Sequence, residues 1–235
     1  MMEASATVGE LVAERPSRSR VFEAAGIDYC CGGQVALAEA CARRGLAVEE
    51  MMNRLTAESA AGESAERDWR TASLTELADH IEATHHAYLK AELPRLSAMA
   101  AKVTRAHGVN HPWVIELANV LDGLVAELAQ HLLKEERVLF PYCRMLDLDP
   151  AAPAPLGTVA NPIAMMEQEH DQAAVALSRL RALSRDYAPP ADACNTFRAM
   201  LGGLAELEYD LHRHIHKENS ILFPRAVARE AEGRG

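Results

Sequence analysis

The chain has 235 residues, enough for one large domain or for a small domain beside a medium one. Hydrophobic residues make up 49% and aromatics only 5%, so the core must be built from aliphatic side chains, and the abundance of Ala, Leu, Glu and Arg favours helix. A net charge of −10 argues against a general nucleic-acid or anionic-membrane surface, and the cluster Arg15, Arg18, Arg20 is too short to overturn that.

Glu3, Glu10 and Glu14 interrupt the N-terminus where a signal peptide needs an apolar stretch. No run of about 18 apolar residues offers a membrane span, so a cytoplasmic protein is expected. Residues 1–58 read as a small helical domain: Val8–Glu14 stopped by Pro16, Ser17–Ala25 by Gly26, Gln34–Arg44 by Gly45, then Val48–Leu55. Residues 59–72 read as a linker, small and polar at its start. Residues 73–235 carry four long helical stretches. The first starts at Ser73, with Glu76 completing a capping box, and is expected to bend at Pro94. The second runs from near Pro112 to about Met145. The third has Asn161 as cap and Pro162 at its first position, and runs to about Arg185. The fourth spans about Asp192–Ala231, loosened at Gly202-Gly203. The expected fold is all-α, an up-down-up-down four-helix bundle behind a small helical domain.

Within the bundle region His131, Glu135, Leu139, Phe140 and Pro141 recur as His214, Glu218, Leu222, Phe223 and Pro224, each 83 positions later (214 − 131 and 218 − 135). His86 and His170 repeat at nearly the same offset, 84. On a helix, residues four apart share a face, so each His–Glu pair can address one cluster. Four histidines and two carboxylates match a binuclear site, with imidazoles as terminal ligands and each glutamate bridging. Iron, zinc and manganese all suit that set. Two divalent ions bring more charge than two glutamates cancel, which leaves room for an oxide, hydroxide or exogenous anion. Leu-Phe-Pro reads as core packing and helix termination. Glu127 and Asp210, four residues before His131 and His214, and Glu169, beside His170, are candidate carboxylates for orienting the imidazoles. His85 competes with His86, and the repeat offset favours His86. His80, His212 and His216 are weaker candidates.

The five cysteines are odd in number and irregularly spaced, which excludes a disulfide framework and a paired structural zinc motif. Cys30 and Cys31 stand out in Asp28-Tyr29-Cys30-Cys31-Gly32-Gly33. The glycines permit a tight turn before a helix, and a thiol near a helix N-terminus is expected to have a lowered pKa and raised reactivity. Both are candidate functional thiols. Cys41, Cys143 and Cys194 read as packed or incidental residues.

This cysteine motif, the following Asp68-Trp69-Arg70, the duplicated His–Glu helices and the Leu222-Phe223-Pro224-Arg225-Ala226 ending together resemble the di-iron iron–sulfur cluster repair family. The second domain alone resembles hemerythrin-like proteins. The resemblance implies two non-haem irons held by His86, His131, His170 and His214 and bridged by Glu135 and Glu218, with room for an oxo or hydroxo bridge. Oxygen-carrying hemerythrins place another histidine four residues after the third-helix one, and here that position is Ala174, so the site is more open. The implied function is repair of iron–sulfur clusters damaged by oxidants or nitric oxide, by supplying iron to client proteins, with Cys30 and Cys31 serving docking, thiol exchange or iron passage. The alternatives are a di-iron nitric oxide or peroxide reductase and a sensor binding O2 or NO. Homodimerisation stays open.

Overall fold

The computed structural model describes residues 3–61, 67–153 and 157–234. Among these the chain is all-α, with one isolated bridge pairing Thr7 and Ala36. No described helix is long and apolar enough to cross a membrane. The chain forms two compact units, one of Met1–Ala78, Cys143–Pro153 and His212–Gly235, the other of Asp79–Tyr142 and Ala154–Leu211.

In the first unit α1, Val8–Glu14, starts at a reciprocal cap in which Thr7 Oγ1 accepts from Glu10 N and Glu10 accepts from Thr7 N. A short 3-10 turn, Pro16–Arg18, precedes α2, Ser19–Ala24. The third helix, α3, is Leu37–Arg44 rather than Gln34–Arg44. Ala36 is extended, Val35 accepts from Val8 N, and Leu37 N donates to Ala6 O, so these residues pair with the entry to α1. Glycine is required where that entry passes the cysteine loop: a Cβ on Gly9 would lie 2.9 Å from Gly33 O.

Helix α4, Val48–Ala61, runs past Leu55 because Thr56-Ala57-Glu58 continues it with helix-compatible residues. Residues 62–66 of the expected linker lie outside the described residues. Val8, Leu11, Phe22, Tyr29, Leu37, Met51, Leu55 and Ile215 share one core. Elsewhere in this unit Ser73 and Glu76 form the expected capping box at the start of α5, Leu74–Ile81. Asp147 also accepts from Leu74 N and Thr75 N there. The Asp68-Trp69-Arg70 and Phe223-Pro224-Arg225 stretches meet, since Arg225 donates to Trp69 O and Ala72 O.

The second unit is the helical bundle. Its long members are α6, Ala87–His107, α7, Trp113–Lys134, α9, Ala160–Leu183, and most of α10, Asn195–Lys217. One core joins Leu89, Leu93 and Leu96 of α6, Leu117, Leu121, Leu124 and Leu128 of α7, Leu177 and Leu180 of α9, and Phe197, Leu204, Leu207 and Leu211 of α10. Their three- and four-residue spacing is the helical stripe that the sequence displays. Truncating one such leucine to alanine costs about 2–5 kcal/mol.

As expected, α6 runs on through Pro94 and α10 through Gly202-Gly203. Gly203 is a close-approach residue, since a Cβ there would lie 2.7 Å from Leu96 Cδ2. Helix α9 begins at Ala160, two residues early, so Pro162 still falls in the first turn, where a missing N–H costs nothing.

The helices also do not end at Leu-Phe-Pro. Glu135–Leu139 and Glu218–Leu222 are π turns, after which α8, Phe140–Leu148, and α11, Phe223–Arg234, resume. Phe140 N bonds to Glu135 O and Phe223 N to Glu218 O, one residue wider than an α-helix. Pro141 and Pro224 then fall inside the resumed first turn. A third π turn, Glu82–His86, ends at His86.

Candidate metal centre

Three of the four repeated histidines and one repeated glutamate converge within the bundle unit. His86 lies at the end of its π turn, His131 in the last turn of α7, Glu135 at the start of the next π turn and His170 mid-way along α9. All four are buried. A single oxygen, Glu135 Oε2, lies 3.4 Å from His86 Nε2 and 3.3 Å from His131 Nε2. His170 Nε2 lies 3.1 Å from His131 Nε2. His131, Glu135 and His170 each offer a ligand atom within 4.8 Å of the others.

The outer nitrogens explain which imidazole atoms face inward. His86 Nδ1 lies 2.9 Å from Glu136 Oε1, which also accepts from Lys90. His131 Nδ1 lies 2.9 Å from Glu169 Oε2, and Glu169 accepts from Lys134. Burial on its own raises both carboxyls, but the hydrogen bonds from the lysine and the histidine outweigh it and hold each below its ordinary range. An ionised carboxylate fixes the proton on Nδ1 and leaves Nε2 with a lone pair directed at Glu135. Nitrogen ligands about 2.1 Å from one ion, at right angles, stand about 3 Å apart, so a 3.1 Å His131–His170 separation fits a shared cation. Imidazoles with a carboxylate form a histidine–glutamate cluster suited to a metal.

In the first unit His214 and Glu218 are also buried, with Nε2 2.9 Å from Oε1. Asp210 bonds His85 Nδ1 at 2.8 Å. His85 is thereby tied to a carboxylate, while the adjacent His86 faces Glu135. Glu169 orients His131 rather than its neighbour His170, because consecutive helical side chains diverge by roughly 100° and its carboxylate reaches α7. Glu127 sits on the exposed face of α7. The sequence reading omitted Glu136, Lys90 and Lys134. A usable signal was Lys134-Glu135, repeated as Lys217-Glu218.

The other histidines in the first unit have structural partners. His216 is buried, with Nε2 2.9 Å from Gly9 O, and burial pushes its pKa down to about 4, so the neutral ring donates there. His212 meets the Tyr29 ring edge-on at 6.2 Å.

The cysteine loop departs from the chemical expectation. Helix α3 begins six residues after Cys31, too far for its N-terminus to lower a thiol pKa. Asp28 instead folds back to accept from Cys30 N, Cys31 N and Gly32 N, and Cys30 Sγ lies 3.3 Å from the same carboxylate. The Cys31 thiol, burial and Asp28 together push the Cys30 thiol well above its ordinary range. Cys30 is buried, Cys31 half-buried, and both are free.

Residues 77–226 match the model of the hemerythrin HHE cation-binding domain, and residues 4–59 match a domain of unknown function, DUF542. A probable iron-sulfur cluster repair protein of Haemophilus influenzae is 36% identical over 228 residues, covering 97% of this chain and 99% of the relative. The iron-sulfur cluster repair protein YtfE of Citrobacter koseri is 39% identical over 224 residues, 95% of this chain and 97% of the relative. The YtfE protein of Escherichia coli O157:H7 is similar to the same extent, 39% over 224 residues, again 95% and 97%.

Proposed function

Because the chain belongs to the family of iron–sulfur cluster repair proteins with a hemerythrin HHE cation-binding domain, we propose that it restores damaged iron–sulfur clusters by supplying iron from a binuclear centre. In this reading His86, His131, His170 and His214 would supply the imidazole ligands of two irons, and Glu135 and Glu218 the bridging carboxylates. The observation that carries it is buried Glu135, whose Oε2 stands within 3.4 Å of an imidazole nitrogen of both His86 and His131, so that its carboxylate could serve ions held by either ring. The duplication of His131–Glu135 as His214–Glu218 supports an equivalent bridge from Glu218.

Bound iron supplies both a releasable metal and coordination positions open to water, an oxide or hydroxide, or nitric oxide. The protein's own residues govern how firmly it is held. Glu136 and Glu169 keep Nδ1 of His86 and His131 protonated, so both rings ligate through Nε2. Lys90 and Lys134 keep those carboxylates ionised and balance their charge. Buried leucines beside the histidines, such as Leu128 and Leu132, limit water. Cys31, the more accessible thiol of the pair, is the contact offered to an oxidatively or nitrosatively damaged client in the cytoplasm.

The test pairs metal content with repair. Wild type purified without oxygen is expected to hold two irons per chain and to reactivate a cluster enzyme damaged by peroxide or nitric oxide. Glu135→Ala/Glu218→Ala is expected to lose most iron and most repair. If the iron-free double variant repaired as well as wild type, the iron-donor reading would be wrong. Cys30→Ala/Cys31→Ala is expected to keep its iron and repair more slowly.

A further inference from the structure

The cysteine loop and the turn that carries Glu218 both belong to the first unit, and they are in contact. Asn219 Nδ2 donates to Cys30 O at 3.3 Å. Cys30 N donates in turn to Asp28. Cys30 is therefore held through its amide by the loop itself and through its carbonyl by the residue that follows Glu218.

Two further contacts close the join. His216 Nε2 lies 2.9 Å from Gly9 O, and Gly9 N donates to Gly33 O at 2.8 Å. A Cβ on Gly9 would stand 2.6 Å from Ser220 Oγ, and one on Gly33 3.0 Å from the same atom, so glycines let the loop and the start of α1 close over Ser220. Successive residues of a helical turn point about 100° apart. Glu218 is accordingly buried, while half-buried Asn219 and Ser220 face the loop.

The turn concerned is the π turn Glu218–Leu222, closed by Phe223 N to Glu218 O. Glu218 is its first residue, and the second and third are the ones that meet the loop. The Cys30 carbonyl belongs to the planar peptide that joins Cys30 to Cys31, so a reorientation of Cys31 moves the very oxygen that Asn219 holds. We propose that Asn219 is a positioning residue that couples the cysteine loop to Glu218: when a client engages Cys31, the Asn219–Cys30 bond is lost, the π turn loosens and Glu218 holds iron less firmly. Iron is then released at the docked client rather than into solution. This inference rests on the reading of Glu218 as an iron ligand and of Cys31 as the client contact, and it adds the link between them.

Iodoacetamide modification of Cys31 serves as the test, in Cys194→Ser protein so that the exposed thiol elsewhere is not labelled. Two quantities are read: backbone amide exchange over residues 218–223 of the iron-free protein, and iron affinity by competition with a chelator. Modification is expected to speed the exchange and to weaken iron about fivefold or more, the lower end of ordinary coupling between sites. In Asn219→Ala the exchange should already be fast and iron already weaker, and modification should change neither quantity further, because the link is gone. A purely structural Asn219 would lower affinity yet leave the response to modification intact, and that result overturns the proposal. So does a modification that alters neither quantity in the parent protein. If exchange responds but no preparation binds iron, the iron-ligand reading fails while the coupling of loop and turn stands.

Discussion

The bundle unit and the cysteine loop both bury polar chemistry beside a carboxylate, with opposite results. In the bundle, Glu136 and Glu169 stand behind histidines and are themselves bonded to Lys90 and Lys134. Their charge is held, and each imidazole is left with a lone pair facing inward. In the loop, Asp28 spends its oxygens on three backbone N–H groups and sits against the Cys30 thiol. There the negative charge opposes ionisation, and Cys30 stays protonated. A carboxylate therefore activates a ligand when it accepts that ligand's other proton, and quiets a nucleophile when it faces the ionising atom itself.

The sharpest way to break the contrast is at the bundle's own carboxylate. Glu135→Ala removes the oxygen shared by His86 and His131 and is expected to abolish stoichiometric iron, read as metal per chain after anaerobic loading. Retention of both irons would mean the two imidazoles need no bridge. One step out, Glu169→Gln leaves a neutral amide behind His131, which no longer holds the Nδ1 proton by charge. Iron affinity should fall roughly 10–100-fold, measured by competition with a chelator. Glu136→Gln should do the same through His86, while Glu127→Gln, on the exposed face of α7, should do nothing.

That gradation reflects what a linear chain can reveal. The helices and the aliphatic stripe were legible because the 3.6-residue period is written in the leucines of α6, α7 and α10. The duplicated His–Glu pairs were legible because symmetry repeats a spacing. What failed were contacts set by neighbouring elements. Glu136 reaches His86 across 50 positions and Glu169 reaches His131 across 38, and no local pattern encodes either. The π turns were missed for a related reason: Pro141 and Pro224 look like helix stops, yet each follows a widened turn whose last donor is Phe140 or Phe223. The cysteines misled because Gly32-Gly33 suggested an immediate helix start, whereas Val35 and Ala36 are used in backbone pairing with the entry to α1.

The loop side of the comparison predicts suppressed thiol reactivity. With its pKa raised by Cys31, burial and Asp28, Cys30 should alkylate far more slowly than Cys31 in the folded protein near pH 8, as peptide mapping would show. The sign for stability follows. A buried thiol favours folding below its unfolded pKa of about 8.5, and that contribution is lost as pH rises toward the higher folded value. Wild type should therefore lose more stability than Cys30→Ala on going from pH 8 to pH 10. Asp28→Asn removes the opposing charge and should speed Cys30 alkylation. An unchanged rate would assign the suppression to burial and Cys31 rather than to the carboxylate.

The smallest expected effect is at the lysines. Lys90 is 57% and Lys134 41% exposed, so water and salt screen their pairing with Glu136 and Glu169, and exposed pairs of this kind are worth about 0.2–1 kcal/mol. Lys134→Met should therefore weaken iron by no more than about fivefold, and Lys90→Met should act similarly. The difference from wild type should shrink in high salt, because the interaction is screened. Combining Lys134→Met with Glu169→Gln should add little to the glutamine variant, since the lysine acts only through that carboxylate. An additive double variant would mean that Lys134 acts on the metal by a second route, and the chain from lysine to carboxylate to imidazole would have to be divided.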